Sequence, residues 1–556
     1  MTTPPNRNAD AAAARRTAPS HPDTPTESHP NDARPDAPRT TPAGRLRAPL
    51  VFLAALAALH LTLLDLPYYW DEAGYFVPAA RDIYAGGSFV PHSTLSNAHP
   101  PLVMAYLALA WKLFGFGIPV ARAAMLAVSA FALTGLFRLA ERVQNARVAA
   151  ATVLCTAVYP VFFAQSTLAH LDMAVAALTL WALVFYLPSR GVETPLRDDA
   201  TPLQRDAKPL RQRAACVALL ALAALAKETA LLVPLTLCAW EFVCLFARRR
   251  ERLAGIVCVE RVRRPVWWTL SLLLACVPLA LWFAYHRSVT GYTFGNPEYF
   301  RYNVESTLNL SRVLEALWGR LKHVTFHMNL WALTLSGVAA MFLKPRRDGE
   351  VERGRIRGSV QLVFLVLVVA HVFALSVVGG AVLARYMLPV VPLLILVWVS
   401  TLWRRVPAWP LAVALVCGAF AYRCVVNPSY NFPWEENLAY RDFVVLHRDA
   451  ARFLAENYPE ARVLTSWPAT DELRNPYYGY TPRALAVVPV ESLKREDLEP
   501  AAARRTEYDA ALLYSTHGGL SLEDAARLLG ARVVFHEERK GQWVAVVETG
   551  SQYPPR

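Results

Sequence analysis

No phosphate-cradling glycine motif occurs in the 556 residues. Neither a P-loop nor GxGxxG is present, which excludes nucleotide chemistry built on those loops. Cysteine is sparse and poorly spaced for cross-linking. The eight cysteines, Cys155, Cys216, Cys238, Cys244, Cys258, Cys276, Cys417 and Cys424, lie in or beside apolar runs, with no CxxC or Cys/His ligand spacing. That argues against a disulfide framework or a structural zinc site. Charge is scarce as well, at 18%, where a soluble chain of this length carries more. What is abundant is apolar: 54% of the residues, with a mean hydropathy of +0.25. The net charge of +13 comes largely from short clusters between apolar runs, such as Arg248-Arg249-Arg250 and Lys344-Pro345-Arg346-Arg347. Basic residues spread in this way set membrane topology and do not form a nucleic-acid surface.

The chain therefore reads as a polytopic α-helical membrane protein. Residues 1–44 are rich in Pro, Ala, Thr, Asp and Arg and nearly devoid of large apolar side chains, so a disordered cytoplasmic tail is expected. Apolar runs follow near 48–66, 101–115, 118–140, 148–166, 172–187, 214–227, 229–246, 266–285, 323–343, 359–379, 387–403 and 407–425. The first comes too late, and is too long, for a cleaved signal peptide. The basic connections (141–147, 188–213, 247–264, 344–358 and 404–406) alternate with poorer ones only if one early run does not cross. The run 101–115 is short, opens with Pro100-Pro101 and contains Lys112, so it is assigned to the interface. This leaves about eleven spans, a cytoplasmic N-terminus and an extracytoplasmic C-terminus. The membrane domain is expected over 45–425. After residue 426 the pattern changes to strand-length apolar runs at 462–466, 484–488, 510–514, 532–535 and 543–547, with helical spacing over 522–529. Residues 435–556 are thus expected to form a small extracytoplasmic α/β domain.

On this topology Asp71, Glu72, His99, Asp172, Lys227 and Arg385 all fall on the outer face. Two adjacent carboxylates at a bilayer edge, Asp71-Glu72, are costly unless used, paired or wet. They can accept a proton or hold a metal, or they can simply complement a helix N-terminus. His99, set by Pro100-Pro101, can bind phosphate, shuttle a proton or sit idle at the interface. Asp172 precedes an apolar run, as a helix cap or as a cleft carboxylate. Lys227-Glu228 separates two apolar runs, as a mutual pair or with the lysine free for a lipid phosphate. Arg385 lies at an outer span end, where topology statistics disfavour it, and a guanidinium forks well onto phosphate. Its neighbour Tyr386 suits either the site or an interfacial aromatic belt.

Taken in order, these residues resemble a known family. An Asp-Glu loop follows the first span, then Pro100-Pro101-Leu102 and Leu113-Phe114-Gly115, then Asp172, Leu225-Ala226-Lys227, and Arg385-Tyr386-Met387-Leu388-Pro389 completed by Pro392. Over residues 48–425 the chain resembles the GT-C glycosyltransferases of the bacterial family 39-like group. That group contains protein O-mannosyltransferases, aminoarabinose transferases of lipid A and lipopolysaccharide sugar transferases. The resemblance implies many spans with juxtamembrane helices in the first outer loop. It also implies an inverting transfer, outside the cytoplasm, from a polyprenyl-phosphate-linked sugar. Asp71 would be the general base or acceptor-positioning carboxylate, with Glu72 in support. Lys227 and Arg385 would contact the donor phosphate and Asp172 would line the cleft. One departure stands out: several relatives carry an acid and a lysine before the prolines, and this chain has Asn97-Ala98-His99.

The expected activity is therefore a glycosyltransferase of the bacterial cytoplasmic (inner) membrane acting on a lipid, glycan or protein acceptor, with membrane lipids around it and no nucleic acid. His99, Asp172, Lys227, Arg385 and Tyr386 are the expected substrate contacts, and Asp71 and Glu72 the expected catalytic pair. No cofactor follows from the residues, and a divalent metal is left open. The alternatives are a lipid or sugar transporter, which would show paired halves and mid-membrane charges, and a non-catalytic scaffold.

Overall fold

A computed structural model describes residues 42–188, 192–193, 209–247, 257–259, 265–426 and 432–549. Arg47–Arg556 forms one unit, which holds the helix bundle and the C-terminal sheet. The tail expected over 1–44 lies almost wholly outside the described residues, as do most of the basic connections 188–213 and 247–264.

The apolar runs are helices. Among the described residues, five are long and apolar enough to cross a membrane: Ile118–Val143, Glu228–Ala247, Val266–Thr290, Leu310–Met341 and Gly358–Val377. Ala48–Leu63, Ala146–Val158, Leu171–Tyr186 and Trp409–Val425 are shorter apolar helices of the same bundle. This is a multi-pass membrane protein. Leu171–Tyr186 is buried on nearly every face because it packs between Ile118–Val143 and Pro209–Ala226. An all-round apolar helix needs such a central position.

Two of the expected runs are broken, each for a local reason. The run 148–166 forms Ala146–Val158 and Pro160–Gln165, with Tyr159 extended between them. Pro160 cannot donate into the first helix and forces its predecessor out of helical geometry. The run 323–343 starts earlier than its hydropathy suggests. Leu310–Thr325 is already helical, and Met328 and Asn329, both at positive φ, separate it from Leu330–Met341. Leu102–Phe114 has 13 residues, about 20 Å of helix, short of a ~30 Å crossing. It packs on Val77–Gly86 and on Ile118–Val143.

Close helix contacts use small residues. A Cβ on Gly337 would enter the ring of Trp398, where Leu330–Met341 meets Val391–Arg405. Gly337→Val is expected to cost about 1–3 kcal/mol by overpacking. The check is a lowered unfolding midpoint of the purified protein in detergent.

The C-terminal residues form a five-stranded sheet in the spatial order Ala486–Pro489, Arg462–Thr465, Ala510–Tyr514, Gln542–Glu548, Arg532–Arg539. The first three strands are parallel and the last two join antiparallel. Ala510–Tyr514 is buried along its whole length, as a central strand must be. The hairpin turns at Lys540-Gly541, both at positive φ, which matches strand twist. Helix Ala439–Asn457 covers the two hairpin strands. The sheet layer is bonded to the membrane part. Tyr478 Oη donates to Ala73 O at 2.7 Å, Tyr480 Oη to Tyr68 O at 3.0 Å, and Tyr68 N to Tyr478 O at 3.0 Å. Those three bonds hold the turn that carries Asp71 and Glu72.

Candidate active site

The turn Tyr68–Glu72 is unusual backbone. Trp70 has φ 46°, strained for a bulky residue. Its ring is packed by Trp467, with centroids 4.3 Å apart, and by Phe432 at 4.5 Å. Within this turn the carboxylates of Asp71 and Glu72 go to different places. Glu72 is fully buried. Its carboxylate accepts from Arg122 Nη1 at 2.5 Å and Nη2 at 3.0 Å, from Tyr69 N at 2.9 Å and from Ala169 N at 2.5 Å. Arg122 also donates to the carbonyls of Leu66, Pro67 and Thr167. This pair closes the first loop onto the helix Ile118–Val143. Asp71 makes no cap bond to the helix that follows it. Its carboxylate faces a cavity and is paired with Arg385.

That cavity has a volume of about 970 Å³. Its polar wall is made by Asp71, His99, Asp172, Lys227, Arg385 and Glu435, and its apolar wall includes Phe283, Phe294, Leu375 and Val378. Arg385 lies at the centre of the polar wall: Nη1 is 3.1 Å from Glu435 Oε1, Nε is 3.5 Å from Asp172 Oδ2, and Nη2 holds Asp71. Lys227 Nζ donates to Asp172 Oδ1 at 2.7 Å and lies 4.0 Å from the Tyr386 ring centroid. Glu228 turns the other way and accepts from His99 Nδ1 at 3.1 Å, so Lys227 and Glu228 are not partners of each other. Asp172 sits in the first turn of Leu171–Tyr186, whose cap position is His170. Burial above all, then Arg385, Arg122 and Lys227, pushes the imidazole of His170 well below its usual range. Burial likewise lifts Glu435 to about 7 against the pull of Arg385.

Exposure separates the acids. The Asp71 side chain is 37% exposed, while those of Asp172 and Glu435 are at 6% and 4%. Of these three, Asp71 is the acid open to an entering group.

The fold has a counterpart among solved structures. ArnT from Cupriavidus metallidurans in its apo state aligns with a TM-score of 0.51 at 17% identity, covering 91% of this chain and 99% of that one. The same protein bound to undecaprenyl phosphate aligns at 0.50 and 16%, with the same coverage. Residues 98–282 match the family model for dolichyl-phosphate-mannose-protein mannosyltransferase. The chain has the GT-C fold. No curated protein sequence matches it.

Of the residues named from sequence, the GT-C cavity gathers Asp71, His99, Asp172, Lys227, Arg385 and Tyr386 into one wall. Glu72 is not among its lining residues and belongs to the buried Arg122 pair instead. The reason is geometric: neighbouring side chains entering a helical turn project in different directions, so the Asp71 carboxylate lies on the cavity wall while that of Glu72 meets Arg122. Three lining residues carry no usable sequence signal. Glu435 precedes the sheet layer in a Trp-Glu-Glu stretch, and Tyr299 and Arg320 fall in the charged stretch 286–322 that reads as loop from sequence, although they lie on the helices Pro297–Asn303 and Leu310–Thr325. Arg320 is fully buried, and its Nε and Nη1 have no hydrogen-bond partner among the described residues. Asp71, His170 and Glu435 are close enough to hold a metal, but the Arg385 guanidinium already supplies the positive charge between them.

Proposed function

We propose that this GT-C protein transfers a sugar from a polyprenyl-phosphate donor to an acceptor at the extracytoplasmic membrane surface, with inversion. The single observation that carries the reading is the wall itself: a partly exposed carboxylate, Asp71, and three buried cations, Lys227, Arg320 and Arg385, line one large, partly apolar cavity. Arg320 is the most telling of these cations. A buried guanidinium with two unmatched donors is costly, and an anionic phosphate would satisfy it with charge-assisted bonds. Asp71 takes the proton of the acceptor hydroxyl or amine. The freed heteroatom attacks the anomeric carbon, and the bond from that carbon to the phosphate oxygen breaks. Polyprenyl phosphate departs toward Lys227, Arg385 and Arg320, which stabilise the charge developing on it. Asp71, Asp172 and Glu435 pair with Arg385, and a phosphate has to displace part of that pairing. Glu72 acts as a positioning residue for Asp71.

The sidedness rests on the helices. Gln144 Nε2 bonds to Gly354 O, Arg346 N to Arg404 O, and Arg353 Nη1 to Trp403 O, so the basic connections 141–147, 344–358 and 404–406 meet at one end. Arg122 and Arg142 mark the two ends of Ile118–Val143, the first beside the cavity turn and the second at the basic end. Basic loops face the cytoplasm, which supports an outward-facing cavity and sheet layer in a bacterial inner membrane.

The test is transfer by purified protein in lipid, using a panel of radiolabelled polyprenyl-phosphate sugars with membrane extract as acceptor. Label should move from one donor. No transfer from any donor by folded protein defeats the proposal. A finer prediction concerns Arg320→Met, which keeps the bulk and removes the charge. Loss of a charged hydrogen bond worth about 1.5–3 kcal/mol should raise the donor KM roughly 10- to 150-fold. The acceptor KM should not move. An unchanged donor KM removes Arg320 from the phosphate site.

A further inference from the structure

A second cluster of polar groups lies outside the cavity. His323 is in the last turn of Leu310–Thr325, and His327 follows one turn later, at the kink where Met328 and Asn329 leave helical geometry. Their rings stand 4.9 Å apart. Glu436, from the segment leading into the sheet layer, reaches the same point, with Oε2 2.8 Å from His327 Nε2. One ligand atom from each of the three lies within 4.8 Å of the others. None of the three lines the cavity.

An ion pair between His327 and Glu436 does not account for His323. That residue is only 8% exposed, and its Nδ1 has no partner among the described residues. A buried ring nitrogen left unmatched costs about 1–3 kcal/mol. A metal ion would take its lone pair, and it would also accept His327 and the Glu436 carboxylate. The second carboxylate oxygen of Glu436 already has an outer partner, Ala384 N at 3.4 Å. Ligating carboxylates are commonly oriented by such outer bonds. Two imidazoles and a carboxylate form a borderline donor set, suited to zinc more than to magnesium or calcium.

We propose that His323, His327 and Glu436 bind a zinc ion, with a water in the fourth position, and that this ion clips the segment 432–438 to the kink after Leu310–Thr325. The clip acts next to the active site without entering it. Glu436 is adjacent to Glu435, which faces Arg385, and it holds the backbone of Ala384, the residue before Arg385. Zinc would thereby fix two of the elements that position the central guanidinium. Metal uptake is read without donor or acceptor, so the result does not depend on the transferase reading.

The experiment uses tag-free full-length protein in detergent, stripped with chelator and reloaded. Wild type should retain about one zinc per chain. Cobalt in its place should give visible absorption bands of a low-coordinate N/O site, bleached by added zinc. His327→Gln and Glu436→Gln should each lose most of the metal, while Asp71→Asn should keep it, which separates this site from the Asp71–His170–Glu435 group. Hydrogen exchange at 432–438 and 384–387 should slow on adding zinc to stripped wild type and stay unchanged in Glu436→Gln. The proposal is overturned if folded wild type binds neither zinc nor cobalt, or if both Gln variants hold as much metal as wild type. Should one variant fail to fold, the other and the wild-type exchange data still decide.

Discussion

Asp71→Asn is expected to lower sugar transfer by at least about a hundredfold, the usual scale for losing a general base. The protein should still fold. Asp71 is the most exposed acid of the wall and makes no cap bond. Among the described residues its one ion pair is with Arg385, which keeps Asp172 and Glu435 after the change. The amide is nearly isosteric and can still accept from Arg385 Nη2, so the guanidinium is not left bare. The donor should bind at least as well as before, because the cations facing the phosphate are intact and Arg385 is held by one carboxylate charge fewer. The loss should therefore appear in kcat with no rise in donor KM. Single-turnover transfer with saturating donor, alongside gel filtration of the variant, makes the measurement. Wild-type rates from folded Asp71→Asn would remove the base role and turn attention to Glu435 in the same wall.

The neighbouring carboxylate should behave in the opposite way. Glu72→Ala leaves Arg122 fully buried with its charge unmatched, and it frees the backbone donors of Tyr69 and Ala169. Breaking a buried pair from one side costs about 3–5 kcal/mol. Poor membrane yield and a much lower unfolding midpoint in detergent are expected for Glu72→Ala, and likewise for Arg122→Ala. The pair Glu72→Gln with Arg122→Met removes both charges and should recover part of that loss, since no lone buried charge remains. Activity of whatever folds should track folded protein. A Glu72→Ala protein as stable as wild type, yet inactive, would show that Glu72 acts on substrate and would overturn its assignment as a positioning residue.

Much of the helical architecture is readable from sequence because it depends on local composition. Apolar runs are helices close to their expected limits. Leu102–Phe114 betrays its shortness through its prolines and Lys112. The strand-length runs at 462–466, 510–514 and 543–547 are strands of one sheet. The breaks at Tyr159 and at Met328 are harder to see. Pro160 is visible but sits inside a continuous apolar run, and the Met328 kink has no proline or glycine to announce it. The amphipathic helix Leu310–Thr325 escapes notice because it carries several charges and hydropathy alone reads it as loop.

The candidate site shows the same division. Motif order is enough to nominate Asp71, His99, Asp172, Lys227, Arg385 and Tyr386, because charged residues at the ends of apolar runs are few and conspicuous. It does not show that Lys227 takes Asp172 and not Glu228, or that Glu72 turns away from its neighbour. Arg122, Arg320 and Glu435 carry no comparable signal. Those outcomes depend on which segments meet. Arg122 finds Glu72 across 50 residues, and Arg385 finds Asp71 across 314. Helices and strands lie where local composition puts them, since burying apolar surface and satisfying backbone donors are demands met within a short stretch of chain. The pairing of charges is settled by the assembled fold alone, because a buried ion must find its partner within a few ångströms in space, wherever that partner lies along the chain.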